Sequence, residues 1–138
     1  MKFTARAHWK GSLKKGKGIL QTQSGAQWEA MNGFLSRIGN EDAVGRPGEL
    51  LAATHAGCFT MAVCANLTKK GYDPATLNTL ATVCMEDQVI AGIYLFIEGD
   101  VKDLSEDEFI EVAKQEERNC IISKALKVPV STEARLVA

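Results

Sequence analysis

Four cysteines, Cys58, Cys64, Cys84 and Cys120, are the side chains of this sequence best suited to redox or nucleophilic chemistry. A thiolate attacks electrophilic oxygen, carbon or sulfur, and its first oxidation steps are reversible. Their spacing is irregular, no CxxC pair occurs and the chain has only two histidines, so a zinc site has little support. No metal or organic cofactor is expected, because sulfur can carry two electrons itself. Cys58 lies inside HAGCFTMAVC, residues 55–64, about three turns into an apolar helical run. There the helix macrodipole has faded, so any positive charge that makes Cys58 a thiolate must come from elsewhere. Cys64, six residues on, is rotated by about 240° at about 100° per residue, and the two do not meet on one helical face. Cys84 stands between Val83 and Met85 in a strand-like run, where a small apolar residue is the ordinary expectation. Cys120 follows GluGluArgAsn at a seam between helical patterns, a setting suited to facing a cleft. Each thiol also has a packing explanation, since free cysteine is among the most buried residue types. His55, three residues before Cys58, shares its helical face and allows the Cys–His pair of a thiol hydrolase. No third residue is evident to orient it, and a lone histidine on an apolar helix is more often a hydrogen-bonded packing residue.

The elements that must position these thiols fit one domain, residues 1–138, with 46% apolar residues to build a core. The formal charge is −1, with both signs interspersed, which argues against nucleic acid or an anionic membrane as a partner. The N-terminus MKFTARAHWK lacks a signal-peptide pattern, and no apolar stretch is expected to approach the roughly 20 residues that span a bilayer. Cytoplasmic residence is the expectation, with the cysteines held as thiols unless a reaction oxidises them.

Phe3, Ala5, Ala7 and Trp9 alternate with polar residues, the period of a half-buried strand. GSLKKGKG predicts a glycine-rich, solvated turn into a second, antiparallel strand at ILQTQSG, and Phe34–Ile38 a short third strand. PGELLAATHAGCFTMAVCANLTKKG, from Pro47, reads as a long helix with a start and a stop signal and almost no polar face, hence buried on most sides. Two β-branched and aromatic runs separated at MetGluAspGln predict an antiparallel hairpin. Ser105 with Glu108 forms a capping box that opens a second helix, and Thr132–Val137 predicts a last strand. This order is α+β and differs from the alternating βαβ of a parallel sheet.

PGELLAATHAGCF, residues 47–59, and NCIISKAL, residues 119–126, in this order and separation resemble the OsmC/Ohr family of osmotically inducible and organic hydroperoxide resistance proteins. AHWKGSLKKGKG resembles the OsmC branch more than the Ohr branch, and the likeness runs over essentially the whole chain. The resemblance implies an OsmC-like fold with antiparallel sheets around a long buried central helix. It also implies an intertwined homodimer with two interfacial sites, each built from both chains. The implied activity is thiol-dependent reduction of organic hydroperoxides. Cys58 would attack the peroxide and become a sulfenic acid, Cys120 would condense with it to a disulfide, and a dithiol, in the Ohr branch a lipoylated protein, would restore both thiols. Arg37, in GFLSR, matches the arginine that follows a GlyPhe in OsmC proteins and would supply a permanent charge beside the thiolate. Arg46, next to the helix start, is a second candidate. The family carries a glutamate directly after the proline, paired with the arginine. Here Gly48 stands in that place and Glu49 follows, turned by about 100° on the helix, so Glu49 takes the glutamate's part only from a relaxed first turn. That departure keeps open a stress or ligand-binding protein on the same scaffold with an unreactive Cys58. Apolar lining from Phe59, Met61 and the partner chain is expected to favour fatty or aromatic hydroperoxides over hydrogen peroxide.

Overall fold

The computed structural model describes residues 1–12, 15–25, 27–32 and 47–137. The expected strand at Phe34–Ile38, Arg37 and Arg46 lie outside the described residues. The chain divides into two compact units, residues 1–50 and 51–138.

The first unit holds an antiparallel sheet of β1 (Ala5–Lys10), β2 (Lys17–Thr22) and β3 (Gln27–Asn32), in that order. β1 pairs with β2 from Ala5 opposite Thr22 to Lys10 opposite Lys17, as the alternation of the first residues and the glycine-rich turn predict. The predicted half-burial of β1 is not found: Phe3, Ala5 and Ala7 are exposed in the single chain. β3, at Gln27–Asn32, has no counterpart in the sequence expectation.

Helix α1 (Pro47–Lys69) begins with the proline whose missing N–H costs nothing at a first helical position. It ends in a Schellman motif: the N–H of Tyr72 donates to Leu67 O at 2.9 Å and that of Gly71 to Thr68 O at 3.0 Å. Gly71 adopts φ 94°, a conformation that only glycine reaches cheaply, which explains the LysLysGly stop. β4 (Pro74–Glu86) and β5 (Val89–Val101) form the expected hairpin. Its two-residue turn, Asp87 and Gln88, has φ 51° and 63°, the type I′ geometry whose twist matches the strands. α2 (Glu106–Asn119) opens on Ser105, whose Oγ accepts from the N–H of Glu108 at 3.2 Å, the N-cap half of the expected capping box, while the Glu108 carboxylate accepts from the Tyr72 O–H at 2.7 Å. α3 (Ile121–Ala125) follows after a single non-helical residue, Cys120, and β6 (Val130–Leu136) closes the second sheet in the order β4-β5-β6.

β6 runs parallel to β5, with Ile93 opposite Val130 and Gly99 opposite Leu136, so the expectation of purely antiparallel sheets is corrected. The reason is the crossover through α2 and α3, long enough to return the chain to the starting end of β5.

The core of this unit alternates along β5, where Ile93, Leu95, Ile97 and Val101 point inward, and is completed by Phe59, Val63 and Leu67 of α1 with Phe109, Val112 and Ala113 of α2. Each fully buried side chain of this size contributes roughly 1.5–3 kcal/mol. Packing is close enough that a Cβ on Gly99 would meet Phe109 Cζ at 2.8 Å.

Within one chain α1 buries a stripe of His55, Phe59, Val63 and Leu67, spaced by four residues, while Met61 remains 69% exposed. Burial on most sides is therefore not a property of the single chain. Residues 48–69 are long and apolar enough to cross a membrane, which corrects the expectation that no stretch approaches that length. The core helix of a soluble protein passes the same test, and here the stripe packs against strand side chains.

Candidate functional site

Cys58 reaches its position from the third turn of α1, and Cys120 from the corner between α2 and α3. Cys120 has φ −55° and ψ 131°, which ends α2 and starts α3 in one residue; its N–H donates to Glu116 O and its carbonyl accepts from Lys124 N. That corner turns the Cys120 side chain inward, where it is 1% exposed, in place of the cleft-facing setting that its polar neighbours suggested. The two Sγ atoms stand 3.1 Å apart and both thiols are free. A disulfide needs about 2.05 Å, so the sulfurs are about 1 Å from bonding distance without any rearrangement of the fold.

Burial pushes the Cys58 thiol above its ordinary value of 9.0, and the hydrogen bond with Cys120 and the charge on that neighbour push it further. The backbone N–H groups of Ile122 and Ile121, the first two residues of α3, pull it down but do not reverse the shift. These amides are one device the sequence did not reveal, since backbone donors leave no signature in residue type. A cation is still required for a thiolate near neutral pH.

His55 is fully buried, and Nε2 lies 2.8 Å from Ser123 Oγ on α3, a hydrogen bond across 68 positions of sequence. Nδ1 is buried with no hydrogen-bond partner among the described residues, and burial lowers the histidine's pKa from 6.5, which favours the neutral ring. The helical face that His55 shares with Cys58 thus carries no hydrogen bond between them among the described residues, and the proposed Cys–His pair is replaced by a His–Ser pair. Ser123 was missed by sequence reasoning. The available signal was the matched spacing, His55 three residues before Cys58 and Ser123 three residues after Cys120.

Glu49 is exposed in the first turn of α1, where an acid favours the helix dipole. Phe59 is fully buried in the core cluster that also holds Cys120 and against which Cys58 packs; Met61 and Ile121, next to the two thiol segments, are exposed at 69% and 70%. Cys64 is half-buried and Cys84 exposed, and neither is at the pair. Among the described residues no group of three His, Cys, Asp or Glu side chains could hold a metal. A shallow groove between α1 and α2, lined by Ala62, Asn66, Lys69, Lys70, Gln115 and Glu116, contains none of the cysteines.

A family model described as OsmC-like protein matches residues 40–135. The chain is 33% identical over 136 residues to Peroxiredoxin OsmC of Escherichia coli (strain K12), an alignment that covers 95% of this chain and 94% of that protein. Among solved structures it resembles an OsmC-like protein from Mycoplasma pneumoniae, with TM-score 0.76 and 15% identity over 100% of this chain and 99% of that one. It also resembles the organic hydroperoxide resistance protein OhrB of Bacillus subtilis, with TM-score 0.64 and 20% identity over 98% of each chain. Both structures speak to the fold.

Proposed function

This chain belongs to the OsmC-like protein family, and we propose that it is a thiol peroxidase that reduces organic hydroperoxides in defence against oxidative stress. The observation that carries the reading is the 3.1 Å approach of two free thiols that lie 62 positions apart in sequence. The relative named a peroxiredoxin supports the same class of chemistry.

In the proposed cycle the Cys58 thiolate attacks the outer oxygen of ROOH. The O–O bond breaks, the sulfur is oxidised to a sulfenic acid, and the alkoxide takes a proton and leaves as ROH. Cys120 then attacks the Cys58 sulfur, the S–O bond breaks, a disulfide forms and water leaves. An external dithiol, of which a lipoylated protein is one kind, exchanges with the disulfide and restores both thiols while becoming a disulfide itself. Arg37 provides the cation that the surroundings of Cys58 call for, and Glu49 orients it. The site is completed in an intertwined homodimer, a proposal supported by the exposed Met61, Leu80 and Ile121. Such apolar lining favours an alkyl or aromatic R group over hydrogen peroxide.

The hydrolase reading has less support: Nε2 of His55 is engaged by Ser123, and no hydrogen bond joins the ring to Cys58 among the described residues. The cycle is tested by titrating reduced protein with cumene hydroperoxide, counting free thiols and identifying the linkage by peptide mass. Loss of two thiols per chain with Cys58 joined to Cys120 is expected. A Cys58 that stays reduced in excess peroxide would sink the proposal and leave a non-catalytic protein on the scaffold.

A further inference from the structure

α3 carries the backbone donors that face Cys58 and begins directly after Cys120, yet it is lightly anchored, with Ile122 its partly buried apolar contact to the core. It has five residues, none of them buried, and no side-chain hydrogen bond caps its start. A segment this short cannot hold itself in place by helix formation, whose nucleus is costly. Besides the thiol contact itself, a side-chain hydrogen bond between His55 and Ser123 joins it to α1. The two contacts are in register: His55 precedes Cys58 by three residues and Ser123 follows Cys120 by three, so one helical turn on each segment separates the polar pair from the thiol pair. His55 occupies a fully buried position of the core stripe that an apolar residue could fill, and one of its ring nitrogens is buried with no partner among the described residues. A polar side chain kept at that cost, for a single hydrogen bond, calls for a gain other than stability.

Resting on the thiol-pair reading above, we propose that His55 and Ser123 form a latch that holds the Cys120 corner against Cys58 and so favours disulfide closure over further oxidation of Cys58. Both are positioning residues: neither touches peroxide, and both act through the placement of Cys120. A sulfenic acid has two fates, attack by a thiol or a second oxidation to the sulfinic acid, and the proximity of Cys120 selects between them. Proximity is worth most when the attacking group cannot drift away.

The direct measure is the effective concentration of Cys120 at Cys58, obtained by equilibrating the full chain with oxidised and reduced glutathione. One glutathione disulfide takes two electrons from the protein dithiol, giving the protein disulfide and two glutathione molecules. Removing the hydroxyl in Ser123→Ala is expected to lower this effective concentration at least tenfold, and Ser123→Thr, which keeps the hydroxyl, is expected to restore it to within about threefold of the wild type. His55→Gln, which keeps an amide near the Nε2 position, is expected to fall between them. Under stoichiometric cumene hydroperoxide, the share of Cys58 that reaches the sulfinic acid, read by intact mass, should rise in Ser123→Ala and return in Ser123→Thr. An unchanged effective concentration in Ser123→Ala overturns the latch, including where the melting temperature falls, because that result leaves the bond with a structural part alone. A wild-type Cys58 inert to peroxide, together with a glutathione equilibrium that still drops in Ser123→Ala, overturns the peroxidase reading and sustains the latch as a device of the thiol pair.

Discussion

The two halves of helix α1 share one buried stripe and do different things. His55 lies before the helix midpoint at Cys58, and Phe59, Val63 and Leu67 lie after it, all four fully buried at a spacing of four residues. The second half is ordinary core: its side chains meet β5 and α2, and Asn66 ties it to α2 by donating to Gln115 Oε1 at 3.1 Å and Glu116 Oε1 at 2.9 Å. The first half meets α3 and Cys120, and there the contacts are a histidine with a serine and a thiol with a thiol. Period and apolarity are the same in both halves. What distinguishes them is the partner segment, and the break in helical geometry at Cys120 is what turns its thiol toward the first half.

The largest effect should come from removing the sulfurs of the first half. Cys58→Ser is expected to lower peroxide consumption at least about a thousandfold, since it removes the nucleophile itself. Cys120→Ser should leave the first oxidation of Cys58 in place and abolish disulfide formation, so that turnover with a dithiol stops after one event. Stopped-flow consumption of cumene hydroperoxide followed by peptide mass separates the two, and equal behaviour of the two variants would contradict their division of labour.

In the second half the expected change is one of stability. Leu67→Ala should cost about 2–5 kcal/mol in urea unfolding through the lost burial and the cavity left behind. Because Leu67 also accepts the Tyr72 N–H through its carbonyl, which the substitution retains, the Schellman stop should survive. The folded protein should still close its disulfide under conditions where it remains native. A loss of thiol pairing in native Leu67→Ala would erase the contrast between the halves.

The pH dependence sharpens the chemistry of the first half. Burial and Cys120 raise the Cys58 pKa above 9.0, so without a cation the thiolate fraction, and with it the rate of oxidation by peroxide, should keep rising above pH 9.0. On the proposal that Arg37 supplies the cation, the midpoint should lie below that value in the wild type, because a fixed positive charge favours the thiolate. Arg37→Met is expected to move the midpoint upward and to slow oxidation at pH 7 by about tenfold for each unit moved. Identical profiles would remove Arg37 from the site and turn attention to Arg46.

Much of this arrangement was legible in the residues where the signal is local. The N-cap at Ser105, the turn at Asp87 and Gln88 and the stop at Gly71 each depend on atoms within a few positions, and each is found where the pattern puts it. The features that misled are those decided at long range. The direction of β6 depends on how α2 and α3 return the chain, and the exposure of Met61 depends on which faces of α1 find partners. The candidate site divides in the same way. Composition marked Cys58 as an ambiguous thiol and could not join it to Cys120; motif resemblance supplied the pair, because the contact spans two segments with no local correlation. His55 was read with its neighbour on the helix, whereas its hydrogen bond goes to a residue 68 positions away.

The smallest expected effect compares the two polar ties directly. Asn66→Ala removes two hydrogen bonds between α1 and α2 at partly buried positions, one of them to a carboxylate, and should destabilise the fold by about 1–2 kcal/mol. α2 keeps its apolar anchors, Phe109, Val112 and Ala113, so the Cys120 corner should stay where it is and the glutathione equilibrium of the thiol pair should not change. α3 has no fully buried side chain and only the partly buried Ile122 against the core, which is why loss of the His55–Ser123 tie should register in the sulfur chemistry instead. Measuring unfolding free energy and effective thiol concentration on both variants gives four numbers. The halves of α1 are functionally distinct only if Asn66→Ala moves the first quantity without the second. If Asn66→Ala lowers both, the thiol pair depends on the whole helical layer, and the distinction between a packing half and a chemical half falls.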